Sequence, residues 1–503
     1  METYNKLLEM TKEIIQFETG IRIIRWDLQT HIPPKGMKQR GEQLALMGKL
    51  LHRMSTDKER ARLVTELEKK FDMLDDVQRR EVEITRKKLD IDSKIPEDLV
   101  AAESKQRTVC TTAWKRGKET NNWKLFESEM ATSLDILKKI AENMMDIVDA
   151  DTSYDALMDY YEPRLSSQQL SRVFGDLRKR LIPLVRKFSE RCKEIPSDIT
   201  SRSVPIQIQK ALVTDLAKVI GFDTTSENAG GLIAESEHAF TLGYYDDVRI
   251  AIHYTKDDVF KSVFSSLHET GHAIHNQNQN QDWMWMYLGQ KCSTGIGESQ
   301  SRFTENVIGK SPEFWEFYKS RFDKITKGRF DDVSTQELLK AINQVRPTKI
   351  RVMADELTYS LHIIIRFEIE YDLFNENISI SEIPEIWKEK FENYLGVQVD
   401  NYSEGVLQDV HWAWGLWGYF PSYTLGDLYA AMLCETMSKS IPEWRNHLAE
   451  GNIASPVQWM IENVHKKSNR YDPADMIKKI TGKSLTADPF IKYLDEKYSA
   501  LFG

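Results

Sequence analysis

The sequence predicts a mainly α-helical chain, one large unit with a deep cleft and a small antiparallel β element beside a histidine-bearing helix. Three observations lead there. Apolar residues recur at three and four through most of the chain, the breaks between segments are short turn clusters, and alternating apolar residues are concentrated in one stretch. From Met1 to about Arg191 the segments are rich in Glu, Lys, Leu and Ala, with Leu7, Leu8, Ile14 and Ile15 at helical spacing. Breaks fall at His31-Ile32-Pro33-Pro34-Lys35-Gly36, at Ile95-Pro96 and between Pro196 and Pro205, none of them a Gly/Ser linker. Gly230 to Tyr254 differs: Gly230-Gly231, Gly243 and the alternation from Val248 to Tyr254 predict a short antiparallel sheet. Helices resume afterwards, with Leu338 to Val345 and Ala354 to Tyr371 as examples. The expected organisation is one domain over 1–503, its N-terminal helical half about 1–229 and its chemical half about 230–503.

The 503 residues are 41% hydrophobic and 29% charged, a globular balance that argues against disorder. Acidic side chains (77) exceed basic ones (68), the net charge is -9, and no long basic block occurs, so neither a nucleic-acid footprint nor a membrane-docking surface is expected. Cys110, Cys192, Cys292 and Cys434 lie far apart without a C-x-x-C pair, which indicates neither a disulfide framework nor a thiolate metal site. The opening residues lack a basic region followed by an apolar stretch, and no run near 18 apolar residues occurs, so a cytoplasmic location is the expectation.

The chemistry concentrates at His268-Glu269-Thr270-Gly271-His272. Val259, Phe260, Val263, Phe264, Leu267 and Ile274 fall at helical spacing, so the motif lies on an amphipathic helix. His268 and His272, one turn apart, project from one face, close enough for both imidazoles to reach one tetrahedral zinc. Zinc lowers the pKa of a coordinated water to about 7, and Glu269, one position round, is placed to take its proton as general base. Eleven histidines in 503 positions give about 0.24 chance H-x-x-x-H pairs, and a required Glu at the second position cuts that at least about tenfold. Gly271 costs a helix about 1 kcal/mol relative to Ala, which predicts close packing there. A metzincin would carry a glycine and a histidine three and six positions after His272, but His275 and Asn278 stand there, so the third ligand comes from elsewhere. Glu298, after Gly295-Ile296-Gly297 and opening a helix through Arg302, Phe303 and Asn306, is the best candidate.

At this point the residues resemble the carboxypeptidase Taq family of thermostable zinc metallocarboxypeptidases, over nearly the whole chain. Trp26-Asp27-Leu28-Gln29-Thr30 followed by Ile32-Pro33-Pro34 is similar to that family's W-D-x-x-T-x-M-P-P opening, and Tyr161-Glu162-Pro163 to its Y-E-P turn. His268 to His272 fits H-E-x-G-H, Glu298-Ser299-Gln300-Ser301-Arg302 fits E-S-Q-S-R, Ile350 to Asp355 fits I-R-x-x-A-D, and Gly405 to Trp412 fits G-x-x-Q-D-x-H-W, with Gly418 to Tyr423 following. Three departures stand out: His238-Ala239-Phe240 for H-P-F, Asp247-Val248-Arg249-Ile250-Ala251 for D-x-R-x-T, and Gly297 where a His usually precedes the ligand Glu. The first two motifs are thought to form the groove's closed end in relatives.

The resemblance implies one Zn2+ per chain on His268, His272 and Glu298, with ions such as Co2+ able to substitute, and a homodimer acting on peptides with a free C-terminus. It assigns the substrate's terminal carboxylate to Arg351, whose planar fork suits that group. The alternative for Arg351 is a structural ion pair with Asp355, four positions on. Arg249 and His238 are expected near the groove's end. His411 and Tyr423 are expected to help stabilise the oxyanion. The cluster of Trp412, Trp414, Trp417, Tyr419 and Phe420 could line a substrate pocket, but an aromatic cluster is more often core, which is the expectation here. Two rival functions are an oligoendopeptidase or dipeptidyl carboxypeptidase of similar helical fold, and a non-catalytic zinc or peptide-binding protein; an intact Glu269 argues against the second.

Overall fold

In the N-terminal half, helices follow one another without a strand among the described residues; the computed structural model describes residues 1–196 and 198–503. The first helix, Glu2–Thr30, ends where Pro33 and Pro34 deny further backbone donors, and a 3-10 turn over Pro34–Gly36 leads into Met37–Ser55. The helix Asp76–Lys94 starts on a reciprocal Asp75/Gln78 cap and stops before Pro96, as Ile95-Pro96 predicts. Ser167–Arg191 and Ile206–Ile220 flank the third predicted break.

The β element is mixed, not antiparallel throughout. Strands β1 (Gly231–Glu235), β2 (Phe240–Tyr244) and β3 (Asp247–Ile252) order as β1-β3-β2; β2 and β3 form an antiparallel hairpin, while β1 pairs parallel to β3, Gly231 opposite Val248 and Glu235 opposite Ile252. Alternation alone does not fix the partner's direction, and here the chain places β3 at the centre. Val248, Ile250, Ala251 and Ile252 are buried, and β2 is left as an edge strand. Gly243 adopts φ +132°, and a Cβ there would lie 2.3 Å from the Asp247 carbonyl oxygen, so the hairpin demands glycine.

The motif helix, Val259–Gln277, packs against Ile206–Ile220, and Val263, Leu267, Leu212 and Leu216 of the two helices belong to one hydrophobic cluster that runs from Cys110 to Tyr498. Two smaller clusters fasten the N-terminal helices, one of them joining Ile14, Ile15 and Ile84 to Tyr287 and Leu288 beyond the motif helix. The four cysteines are buried and free. Among the described residues no helix is long and apolar enough to cross a membrane. A cavity of about 1380 Å³ opens between the first helices, the 76–94 helix, β2 and the chain at 290–294. Its lining includes Thr241 to Tyr244 but none of His268, Glu269, His272 and Glu298, so it is not itself the active-site cleft expected from the sequence.

Candidate active site

The motif helix is capped by the Asp258 side chain, which accepts from Lys261 N at 3.0 Å. Its packing fixes which face remains: His268 and His272 point the other way, their rings 4.9 Å apart and 82° to each other. A second helix, Thr294–Arg302, crosses at this face. Gly271 makes the crossing possible, since a Cβ there would fall 2.5 Å from the Gln300 carbonyl oxygen and 2.7 Å from Ser301 Cα. The close packing predicted for Gly271 is therefore present.

Glu298 lies in the second turn of that helix instead of opening it. The Ser293 hydroxyl accepts from Ile296 N at 3.0 Å, and the Glu162 carboxylate accepts from Gly295 N, so the start is held four residues earlier than the Gly-rich sequence suggests. A Cβ at Gly295 would meet Glu162 Oε1 at 2.6 Å, which explains one glycine inside the helix. On the far side, Gly426 of the helix Pro421–Ser440 lets Glu298 pass: a Cβ there would approach Glu298 Cγ to 2.4 Å.

Glu298 thus faces both imidazoles. Its Oε1 lies 3.7 Å from His268 Nε2 and its Oε2 3.4 Å from His272 Nε2, and the three residues present ligand atoms within 4.8 Å of one another. His268 Nδ1 is 2.9 Å from Glu305 Oε2, a contact that keeps the proton on Nδ1 and turns the Nε2 lone pair to the centre. Glu305 stands in a π-helical stretch, Phe303–Ile308, which continues the Glu298 helix. Arg302 Nε donates to Glu298 Oε1 at 3.0 Å, and its guanidinium lies 4.2 Å from the centroid of the Tyr359 ring.

Burial works against a charge on His268, yet Glu298, Glu305 and Glu269 outweigh it and raise its pKa to about 9. Burial likewise opposes ionisation of Glu298, but His268, Arg302 and His272 hold its carboxyl far below the usual range. Two imidazole nitrogens and a carboxylate oxygen that converge in a field favouring a cation fit a divalent metal with an open position. Glu269 is held by Thr241 of edge strand β2, whose hydroxyl is 2.6 Å from Oε2 and 3.1 Å from the Glu269 carbonyl oxygen.

The family model for the carboxypeptidase Taq (M32) metallopeptidases matches residues 6–498. The chain belongs to this family. It is 34% identical over 508 residues to carboxypeptidase 1 of Bacillus subtilis (100% of this chain, 99% of that one) and 32% identical over 509 residues to thermostable carboxypeptidase 1 of Thermus thermophilus (99% of both). The fold matches the M32 carboxypeptidase from Deinococcus radiodurans with a TM-score of 0.96, at 28% identity and full coverage of both chains. The protein is a metallocarboxypeptidase of mainly α-helical M32 fold.

Around this M32 centre the other predicted residues divide. Arg351 sits in a 3-10 turn, Arg351–Met353, because the helix expected from Ala354 begins only at Tyr359; the Asp355 carboxylate instead accepts from Leu357 N and Thr358 N, ending the turn. Its ion-pair partner is Asp409, not Asp355. Arg351 Nε and Nη2 donate to Asp409 Oδ1 at 3.0 and 2.9 Å, and Nη1 to the Tyr359 hydroxyl at 3.0 Å, engaging three of the five guanidinium N–H groups. Asp409 Oδ2 also takes Arg366 Nε at 2.7 Å, so one largely enclosed carboxylate stands between two guanidinium groups.

His411 Nε2 is 3.4 Å from the Tyr423 hydroxyl, and the Arg351 guanidinium carbon is 5.2 Å from the Tyr423 ring centroid. The structure therefore brings Arg351, His411 and Tyr423 together, with Tyr359 and Arg302 linking them to Glu298. Burial, reinforced by Arg351, lowers the His411 pKa to about 3 and keeps the ring neutral. Tyr419, which the sequence placed in the aromatic cluster without a role of its own, packs at right angles to Tyr423, 5.3 Å between centroids. Burial and then the Glu298 carboxylate push its hydroxyl up to about 12.

Two expected residues are not gathered here. Arg249 on β3 pairs with Asp247 at 2.7 and 2.8 Å, and His238 is exposed in the β1–β2 connection without a side-chain partner among the described residues. Trp412 and Trp417 are buried and stacked, 5.4 Å between centroids, with Trp412 Nε1 bonded to Glu370 at 2.7 Å, so they are core, whereas Trp414 is exposed, contrary to that expectation. Glu305 and Thr241 are visible only as contacts, and Glu162, marked in the sequence by its Y-E-P setting, shows its role only there: no local spacing marks a residue that acts through another element.

Proposed function

We propose that the chain is a zinc carboxypeptidase that releases C-terminal amino acids from peptides, with His268, His272 and Glu298 as metal ligands and Glu269 as general base. The observation that carries this reading is the pairing of an open two-imidazole, one-carboxylate cluster with a separately anchored Glu269. A closed structural site needs no such base. When bound, zinc supplies Lewis acidity toward the scissile carbonyl and an acidified water.

The remaining work falls to the chain. Glu269 receives the water's proton at Oε1, since Thr241 occupies Oε2, and passes it to the leaving amine. Thr241 keeps the carboxylate oriented while edge strand β2 offers backbone groups beside it. Tyr423, its hydroxyl protonated because burial and Tyr419 raise its pKa far above the usual value, donates to the developing oxyanion with neutral His411 behind it. Arg351, pre-oriented by Asp409 and Tyr359, uses its two remaining N–H groups on the substrate's terminal carboxylate. Zinc as the ion, a cytoplasmic location, a homodimer and one domain over 1–503 belong to the same reading.

Glu269→Gln tests the assignment. An amide of nearly the same shape cannot take the proton, so turnover should fall by at least about 10² to 10⁴-fold with metal content and thermal unfolding preserved. A variant that keeps more than about a tenth of wild-type kcat would remove Glu269 from the role.

A further inference from the structure

Gly297, immediately before the ligand Glu298, leaves a gap that another residue fills. A Cβ at position 297 would lie 3.3 Å from both Cδ and Nζ of Lys291, so the Lys291 side chain occupies the space a larger residue at 297 would take. Its ammonium has no hydrogen-bond or ion-pair partner among the described residues, and Lys291 lines the 1380 Å³ cavity. Although the residue is open to the cleft, the protein around its ammonium is dense enough to lower its pKa, first by burial and then through Arg22. Of the carboxylates acting on it, Glu298 faces the two imidazoles. The other, Glu162, is wholly buried, and burial pushes its pKa up to about 8. Lys291 is thus a cation without a dedicated counter-ion.

Arg22, another of the cations that line this cavity, reaches in from the first helix, and its ion-pair partner among the described residues is Glu18, at 2.8 Å. Arg22 acts on Lys291 as a like charge, and Glu18 pairs with Arg22 but not with Lys291, so an anion brought to Lys291 relieves that repulsion. The same cavity is lined by Thr241 to Tyr244 of β2, and so begins at the residue that holds Glu269. Arg351, His411 and Tyr423 are not among its lining residues. With the terminal carboxylate read by Arg351, as proposed above, this wall faces the part of the peptide on the other side of the scissile bond.

We propose that Lys291 and Arg22 form an anion subsite that selects peptides carrying an acidic side chain, Asp or Glu, among the residues upstream of the scissile bond. Charge-assisted hydrogen bonds in a partly desolvated cleft are worth about ten- to a hundredfold in affinity. The test uses dansylated tetrapeptides with a free C-terminus, identical except for Glu, Gln or Lys at each upstream position in turn. Binding is read by fluorescence on zinc-loaded Glu269→Gln enzyme, and kcat/KM on enzyme with Glu269 intact.

At one position Glu should exceed Gln by about ten- to a hundredfold in both readouts, and Lys should be worst. Lys291→Met should bring the Glu/Gln ratio to within about twofold of unity, and Lys291→Arg should restore most of it, with thermal unfolding confirming that each variant is folded. A ratio near unity in the parent, or one unchanged by Lys291→Met, overturns the subsite. Single-residue release without a Glu preference sinks the subsite alone. If no peptide loses its terminal residue, the carboxypeptidase assignments fail, and the binding arm still decides the subsite.

Discussion

His268 is held at both nitrogens: Nε2 faces Glu298 and Nδ1 contacts Glu305 at 2.9 Å. A carboxylate behind a ligating imidazole fixes ring orientation and raises ligand basicity. Glu305→Ala should therefore weaken metal binding by about 10- to 100-fold while leaving one ion per chain at saturation. Competition titration with a chromophoric chelator measures this, and an unchanged affinity would show that Lys310 and Arg302, the other partners of Glu305, are its whole purpose. Arg351 presents the opposite balance. Burial penalises its charge, but Asp409 more than compensates, so the guanidinium is held charged and in place before any peptide arrives. That pre-positioning limits what substrate binding must pay in side-chain entropy.

At the scale of elements, the site is a crossing of two helices with a third behind it, and glycines set the spacing. Gly→Ala inside a helix normally stabilises by about 1 kcal/mol. At Gly271 the added methyl meets backbone of the crossing helix, so Gly271→Ala should instead destabilise by about 1 to 3 kcal/mol and loosen metal retention. Denaturant unfolding with metal analysis checks both; a stabilised, fully loaded variant would contradict the crossing. The motif helix was legible because its apolar period and its histidines share one segment. The hidden parts depend on contact across elements: the parallel pairing of β1, the early start of the Glu298 helix on Glu162, and the late start of the 359–374 helix after the Asp355 turn. Glu162 illustrates the limit. Its Y-E-P setting matches the family, but its task of capping a helix 133 residues away is visible only in three dimensions.

Across the whole molecule, buried histidines couple folding to pH. His275, His362, His411 and His465 are enclosed, and burial depresses each pKa, to about 3 for His411 and His465. The unfolded chain binds protons near pH 6.5 that the native chain refuses, so this stability is present above that pH and lost as pH falls toward 3. His362, with both ring nitrogens unpartnered and Phe391 5.2 Å away, isolates the effect. His362→Leu should flatten the fall in unfolding free energy between about pH 6 and 4 by up to about 1.4 kcal/mol per pH unit. Parallel curves for the two proteins would show His362 titrating normally. The fold that imposes these pKa values also links Arg351 to Glu298 through Tyr359 and Arg302. The most direct test of that arrangement is mass spectrometry of one peptide as free acid and as C-terminal amide, incubated with zinc-loaded wild type and with Arg351→Ala. The free acid should shorten one residue at a time on wild type, the amide should remain nearly intact, and Arg351→Ala should lose about 10² to 10³-fold on the acid, collapsing the preference. Internal cleavage of the amide, or an acid preference that survives in a folded, zinc-loaded Arg351→Ala, would contradict the account.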